Sequence, residues 1–166
     1  MTTMRERAAN GLKPGDAFTL TRTFTDEDVE AFARVSRDYN PVHFDRRYAG
    51  TRGFEGRVCH GLLVASMVTE IGGQLGWLAS GMRFRFRRPV YTGDTIRCEL
   101  TIVEIGARGR ARAEARFTND LGQVVLESEV TGYVPGTEER IVLEAMIREG
   151  DPTNAIRSTG SFQRKE

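Results

Sequence analysis

The sequence predicts an α+β fold in which a curved antiparallel sheet wraps around one long, buried helix. Two observations lead to this class. Residues 60–78 are apolar on nearly every side of a helix, which is typical of a helix enclosed by other elements. After them, several segments alternate apolar and polar residues, as strands do when their sheet is covered on one face only.

The totals are those of one globular domain. A chain of 166 residues is long enough to bury a core. Its net charge of +1, from 24 basic and 23 acidic residues, gives no reason to expect nucleic acid or a membrane as partner. No apolar run reaches the roughly 18 residues of a membrane span, and no signal peptide is recognisable. Cys59 and Cys98 are too few for a disulfide framework, so we expect reduced thiols and a cytoplasmic protein.

The chain begins with a segment, residues 1–13, that is polar and predicted to be flexible. After a Pro-Gly turn, residues 17–25 alternate as a strand does. Thr25 and Asp28 then form the pattern of a capping box, and the apolar spacing behind them predicts a helix over residues 26–36.

The remaining elements are predicted from turn residues and alternation. Residues 44–58 carry three glycines and predict a loop with one short helical turn at 45–49. Beyond the long helix we expect four strands, of which the last spans residues 124–134. The apolar positions of the first three are Met82, Phe84 and Phe86; Ile96, Cys98, Leu100 and Ile102; and Ala111, Ala113, Ala115 and Phe117. Residues 136–166 form a C-terminal extension, predicted to be helical over 136–150 and disordered over 151–166.

One polar loop stands out between these elements. Pro41 cannot lie inside a helix, so residues 38–43, Asp-Tyr-Asn-Pro-Val-His, come after the C-terminus of the first predicted helix. Loops at such positions commonly display functional groups. The motif contains one of only two histidines in the chain, His43, and a carboxylate five residues before it. On its own the pattern is also compatible with a polar turn.

The spacing between this motif and a second motif, His60-Gly61, makes the pattern more specific. Asp-x-Asn-Pro-Val-His is succeeded, after 16 residues, by His60-Gly61 at the start of the long apolar helix, and this resembles the MaoC-like (R)-specific enoyl-CoA hydratases. Residues 84–94, Phe-x-Phe-x-x-Pro-Val-x-x-Gly-Asp, are similar to that family as well. The similarity covers residues 14–135. It implies a hot-dog fold and a homodimer or higher homo-oligomer whose sheets join, with substrate tunnels at the interface.

The resemblance also implies a reaction and its residues. Members of the family add water to a trans-2-enoyl-CoA thioester to give (R)-3-hydroxyacyl-CoA, or run the reverse dehydration. It assigns Asp38 as the main base and His43 as water binder and proton donor, and such groups contribute on the order of 10²–10⁴-fold. Asn40 is expected to orient the loop. Coenzyme A is part of the substrate, so we expect no separate cofactor. Arg37 stands where the family usually has glycine.

Thioester chemistry further needs a donor to the carbonyl oxygen as it gains enolate charge. Unpaired backbone N–H groups at a helix start supply such a donor, which points to Gly61 and also to Leu62. Ser66 either lines the acyl pocket, hydrogen-bonds the thioester or is a small core residue. His60 either bonds to backbone at the helix start or acts in the reaction.

Two rival functions stay open on the sequence. An acyl-CoA thioesterase of the same fold would use an acid on the central helix, and Glu70 is available. A non-catalytic acyl-CoA-binding module is the other rival. Cys59 has no recognisable base to activate it, and no group of residues matches a metal-ligand spacing. One stripe of arginines is either a solvated strand face or a site for coenzyme A phosphates: Arg83, Arg85, Arg87 and Arg88.

Overall fold

The structure, a computed structural model, describes residues 2–151 and residue 153. The described part of the chain holds no helix that is long and apolar enough to cross a membrane. In chain order the elements are α1 (Met4–Ala9), β1 (Ala17–Thr23), α2 (Asp26–Ser36), a 3-10 turn (Pro41–His43), α3 (Arg46–Thr51), α4 (Gly61–Ala65), α5 (Met67–Leu75), β2 (Leu78–Phe86), β3 (Thr95–Ile105), a 3-10 turn (Ala107–Gly109), β4 (Arg110–Asn119), β5 (Val124–Tyr133) and α6 (Thr137–Arg148).

The strands form one antiparallel sheet of five, in the order β1-β3-β4-β5-β2. Its inner face packs on α4 and α5, which confirms the predicted α+β fold with a sheet around a buried helix. Each fully buried large apolar side chain in this core stabilises the fold by roughly 1.5–3 kcal/mol. The sheet contributes Phe18, Leu20, Ile96, Cys98, Leu100, Ile102, Ala113, Phe117, Leu126 and Val130, and the helices contribute Val64, Met67, Val68, Ile71 and Leu75.

The central helix is shorter than predicted and is made of two segments. α4 and α5 join at Ser66, which keeps right-handed helical angles (φ −59°, ψ −15°) while its amide donates to the carbonyls of both Leu62 and Leu63. The helix ends at Gly76, whose φ of 66° closes it with a left-handed cap. Leu78 therefore begins a strand, and the prediction of helix up to that residue is wrong.

The edge strand β2 differs from the other strands. Its apolar face was expected to be covered, yet Met82 is 41% exposed and Phe86 56% exposed. Leu78 at the start of the strand is 72% exposed. A single chain therefore leaves an apolar edge open, and such edges promote pairing with another chain.

The first thirteen residues are not a flexible tail, contrary to the prediction. Thr3 accepts a hydrogen bond from the amide of Glu6, and the Glu6 carboxylate accepts one from the amide of Thr3. This capping box starts α1, and Met4 and Ala8 are fully buried. The Thr-x-x-Glu spacing is visible in the sequence and could have predicted the helix.

One buried arginine ties α1 to the end of the central helix. Arg5 donates to the carbonyls of Gly73 and Gln74, and it pairs with Asp151 at 2.8 Å. A cation suits the negative C-terminal end of a helix. The helix predicted in the C-terminal extension is confirmed as α6, but Asp151 is fixed rather than disordered. The rest of the predicted disordered tail, residue 152 and residues 154–166, lies outside the described residues.

Candidate active site

The loop after α2 is shaped by its own polar side chains. Thr25 and Asp28 form the predicted capping box at the start of α2, and the helix ends at Arg37 with φ 60°. That left-handed conformation favours glycine, the residue usual at this position in the family that the sequence resembles. Beyond it, Asn40 Oδ1 accepts a hydrogen bond from the Val42 amide and caps the 3-10 turn. This is the orienting contact predicted for Asn40.

The turn brings the predicted pair together. Asp38 Oδ2 lies 3.7 Å from His43 Nε2, beyond direct hydrogen-bond distance. The Asp38 side chain is half exposed, while that of His43 is 9% exposed. His43 Nδ1 lies 2.8 Å from the carbonyl oxygen of Val58. Because a carbonyl only accepts, Nδ1 carries the proton and Nε2 of the neutral ring is an acceptor. Two acceptors thus face each other, and a water that bridged them would donate one hydrogen bond to each.

The environment keeps His43 neutral. Burial lowers the pKa of His43 below its ordinary value, and the neighbouring His60 lowers it further. The bond to Val58 and the charge of Asp38 act in the opposite direction without reversing the shift. At neutral pH the ring therefore accepts a hydrogen bond through Nε2.

His60 lies behind the pair. It is 1% exposed, and its ring stacks on that of His43 with 3.8 Å between centroids and 27° between planes. Its Nε2 lies 2.9 Å from the backbone oxygen of Asp38, and Phe32 packs on its ring at 5.1 Å. Of the two roles open for His60, bonding to backbone is the one found, although the carbonyl belongs to the motif 22 residues earlier.

Three possible metal ligands meet here, which the spacing in the sequence did not indicate. One atom each of Asp38, His43 and His60 lie within 4.8 Å of one another. Zinc in proteins sits near the plane of each imidazole, about 2.0–2.1 Å from the nitrogen, with ligands that converge. Stacked rings direct their lone pairs side by side rather than toward one point. The arrangement suits a shared water better than a tetrahedral ion.

A cavity of about 500 Å³ opens beside the pair. Of the predicted site residues, Asn40, His43 and Gly61 line it. Asp38, Leu62 and Ser66 do not: the Leu62 side chain is 58% exposed, and the Ser66 hydroxyl donates to the carbonyl of Leu63 at 2.6 Å. The apolar wall, which the sequence did not identify, includes Phe54, Val58, Val64, Val125 and Leu126.

The glycine at the helix start has a packing role beyond the one predicted. A Cβ on Gly61 would lie 2.6 Å from an edge carbon of the Phe86 ring. The space above this residue is therefore taken by an aromatic side chain of β2. Gly61 allows that ring to close against the helix start, next to the amide that was predicted to bind the thioester oxygen.

Neither Cys59 nor Glu70, the two residues considered for other mechanisms, is suitably placed for catalysis. Burial raises the pKa of Cys59 to about 12, so its thiol is a poor nucleophile at neutral pH. Glu70 lies in a different cleft, between β1 and α2, whose lining includes Arg22 and Asp28 and shares no residue with the cavity of His43. Burial raises the pKa of Glu70 as well.

The arginine stripe divides into two parts. Arg83 and Arg85 lie opposite Glu129 and Glu127 across β5, as a solvated strand face does. Two later arginines line the cavity instead: Arg87, which pairs with Glu127 at 2.6 Å, and Arg88, which donates to the carbonyl of Val124. Of the four arginines, Arg87 and Arg88 are therefore the two that could contact a ligand in the cavity.

Comparison with known proteins gives this site its context. The family model described as "MaoC like domain" matches residues 10–123. The chain belongs to this family. A mitochondrial 3-hydroxyacyl-[acyl-carrier-protein] dehydratase of Arabidopsis thaliana is 37% identical to the MaoC-like chain over 136 residues, 76% of this chain and 80% of the relative. An (R)-specific enoyl-CoA hydratase of Rhodospirillum rubrum is 30% identical over 75% of this chain and 89% of its own length.

Solved structures agree. The (R)-hydratase from Aeromonas caviae superimposes on the MaoC-like chain with a TM-score of 0.70, at 30% identity, over 75% of this chain and 98% of that one. The unliganded R-hydratase from Pseudomonas aeruginosa gives 0.70 at 32% identity, over 76% and 84%. The predicted family, the hot-dog fold and the enzyme class are confirmed: this MaoC-like protein is a lyase of the hydratase and dehydratase kind.

Proposed function

We propose that this MaoC-like enzyme adds water to a trans-2-enoyl-CoA to give (R)-3-hydroxyacyl-CoA, and that it catalyses the reverse dehydration with the same residues. One observation carries the proposal. The Asp38 carboxylate and the unprotonated Nε2 of His43 face each other at 3.7 Å, and His43 lines an apolar cavity. A water between two acceptors has its lone pairs free to attack carbon.

The reaction needs one proton to move from water to the substrate. The water donates to Asp38 and to His43 while its oxygen attacks C3 of the enoyl thioester. One proton passes to the pair, and the pair then delivers a proton to C2 of the enolate. Neutral His43 has no proton on Nε2, so it can donate only after it has accepted one. We therefore place the base role on both residues, which share the proton as a coupled pair.

The enolate oxygen requires a donor, and we propose the amide of Gly61. The first helical hydrogen bond here runs from the Val64 amide to the carbonyl of His60, so the amides of Gly61 and Leu62 precede it. Gly61 lines the cavity and Leu62 does not, which makes the first amide the better oxyanion donor. Ser66, with its hydroxyl bonded to backbone, serves the helix junction rather than the substrate.

The carrier of the acyl group is proposed to be coenzyme A. Two features support this: the cavity has an apolar wall that suits an acyl chain, and its lining includes Arg87 and Arg88, whose guanidinium groups suit phosphates. Neither a metal nor a cofactor other than the carrier is proposed, because an enoyl thioester is already activated toward water.

Nucleic acid and membrane are not proposed as partners. A cytoplasmic location fits the two buried, free cysteines, Cys59 and Cys98.

The functional unit is proposed to be a homodimer. The edge strand β2 leaves backbone groups unpaired and exposes Leu78, Met82 and Phe86. Pairing of two β2 edges would join the sheets of two copies, bury these side chains and enclose the cavity, which Phe86 lines.

The direct test measures loss of the conjugated enoyl-thioester absorbance on mixing the enzyme with crotonyl-CoA. We expect loss with the natural protein, none with Asp38→Ala, no release of free thiol to a thiol-reactive dye, and no effect of a chelator. Thiol release would favour the thioesterase. Tight binding of a panel of short to long enoyl-CoAs without any turnover would favour the non-catalytic module and contradict the proposal.

A further inference from the structure

His60 touches both members of the catalytic pair but does not line the cavity. Its ring covers one face of the His43 imidazole, with 3.8 Å between centroids. Its Nε2 bonds at 2.9 Å to the main chain of Asp38. Within the described ranges 2–151 and 153, no other residue both stacks on His43 and hydrogen-bonds to Asp38. This placement differs from that of a residue that binds substrate.

The polarity of His60 is costly at this position. Because the Asp38 carbonyl only accepts, Nε2 carries the proton, and Nδ1 is left as an acceptor. Nδ1 is buried and has no hydrogen-bond partner among the described residues. An unpaired buried acceptor destabilises the folded state. Side chains packed beside Phe32 and Phe44 for stability alone would be apolar, so the donor at Nε2 points to a second task.

We propose that His60 is a positioning residue that fixes the two members of the pair relative to each other. The stacked ring sets the orientation of His43, so that its Nε2 faces the water. The Nε2–H bond sets the backbone from which the Asp38 carboxylate projects. This inference rests on the proposed hydration, in which a single water must contact both groups, and it assigns a task to a residue outside the cavity.

The two contacts can be removed one at a time. His60→Phe keeps a stacked ring and loses the bond to Asp38. His60→Gln keeps an N–H donor and loses the ring. Ile71→Val, in the core at the far end of the same helix, is the matched control, because Ile71 is fully buried and far from the pair in sequence. It lowers Tm without touching either contact.

The chain suits a direct measurement, since it contains only two histidines. Imidazole ¹⁵N NMR of the untagged protein should show opposite neutral tautomers, Nδ1–H for His43 and Nε2–H for His60. In either His60 variant the remaining spectrum belongs to His43. The titratable groups that act on His43 are Asp38 and His60. We expect His60→Gln to mix the His43 tautomers and raise its pKa, and His60→Phe to keep the Nδ1–H form.

Kinetics test the bond to Asp38. A displacement of about 1 Å in a catalytic group can cost on the order of 10²-fold, so we expect kcat of His60→Phe to fall by roughly 10- to 100-fold. KM should change by less than about twofold, because His60 is not among the residues that line the cavity. Ile71→Val should keep kcat and the His43 spectrum.

Each part can fail separately. Like tautomers for the two histidines in the natural protein, or an unchanged His43 titration in His60→Gln, would overturn the stacking role. If folded His60→Phe keeps the kcat of the unsubstituted protein, the proposed role of the hydrogen bond to Asp38 is wrong. The NMR results do not depend on turnover. If the protein hydrates no enoyl thioester, the proposed function is wrong, but the NMR spectra still show whether His60 orients His43.

Discussion

The central helix has a cleft on each side, and an acid lies beside the first cleft and inside the second. On the side of β2, Asp38 faces an uncharged acceptor, His43, beside an apolar cavity. On the side of β1, Glu70 shares its cleft with charged side chains, among them Arg22 and Asp28, which pair with each other at 2.9 Å. The comparison shows that an acid on or near this helix does not by itself define a site. What distinguishes the first cleft is a partner that can share a proton.

The sharpest test of this comparison exchanges each acid for its amide. Asp38→Asn should lower hydration on the order of 10²–10⁴-fold, because the water loses the acceptor of its proton. Glu70→Gln should leave kcat within about twofold, since Glu70 lines a cleft that shares no residue with the cavity of His43. Initial rates with an enoyl-CoA, at matched Tm, give both values. Equal loss in the two variants would abolish the distinction between the clefts.

The open edge of β2 provides the next test. Met82→Glu places a charge in the proposed dimer interface, and we expect the dimer dissociation constant to rise at least about tenfold, or ~1.4 kcal/mol. Thr21→Glu on the opposite edge strand, β1, is the matched control and should leave the oligomeric state unchanged. Light scattering across a dilution series measures both. A dimer disrupted only by the β1 variant would place the interface on the other side.

The pH dependence of the rate should depend on His43 and not on Glu70. Because burial lowers the pKa of His43, the ring stays neutral until the pH falls below the ordinary value for histidine. Protonation then fills Nε2, the acceptor is lost, and hydration falls on the acid side. The midpoint of that limb in kcat/KM should lie below the ordinary histidine pKa and should persist in Glu70→Gln. If the acid limb disappeared in Glu70→Gln, the titrating group would be Glu70 in the second cleft, and the assignment to His43 would be wrong.

The smallest effect is expected on stability. Burial raises the pKa of Glu70, so the folded state prefers the protonated acid and loses that advantage as the pH rises above the unfolded-state pKa. Glu70→Gln should therefore be slightly stabilising at neutral pH, by less than ~0.5 kcal/mol because the group is only half-buried. Urea unfolding at neutral and acidic pH measures it. A gain that is larger at acidic pH than at neutral pH would contradict this sign.

What the sequence could predict was local. The capping box of Thr25 and Asp28, the turn at Pro41 and the spacing from Asp38 to His43 all lie within a few residues, so the sequence could predict that the side chains of Asp38 and His43 lie close together. The prediction of a flexible N-terminus was wrong because it did not take account of the capping box of Thr3 and Glu6, which is equally local.

The rest of the site depends on distance in three dimensions. His60 reaches Asp38 only because the central helix starts beneath the loop, and the walls of the cavity come from separate elements such as Val64 on α4 and Leu126 on β5. The exposure of Met82 could not be foreseen either, since alternation predicts an apolar face but not what covers it.

The bond between Arg5 and Asp151 joins residues separated by 146 positions in the sequence. Contacts of such separation carry a large loop-closure entropy and form late in folding. Arg5 also donates to the carbonyls of Gly73 and Gln74, so its release removes a hydrogen-bond donor from each of these carbonyls at the end of the central helix. In amide hydrogen exchange, α1 and the last turn of α5 should therefore lose protection together, and a chain cut before residue 151 should exchange faster at its opposite end.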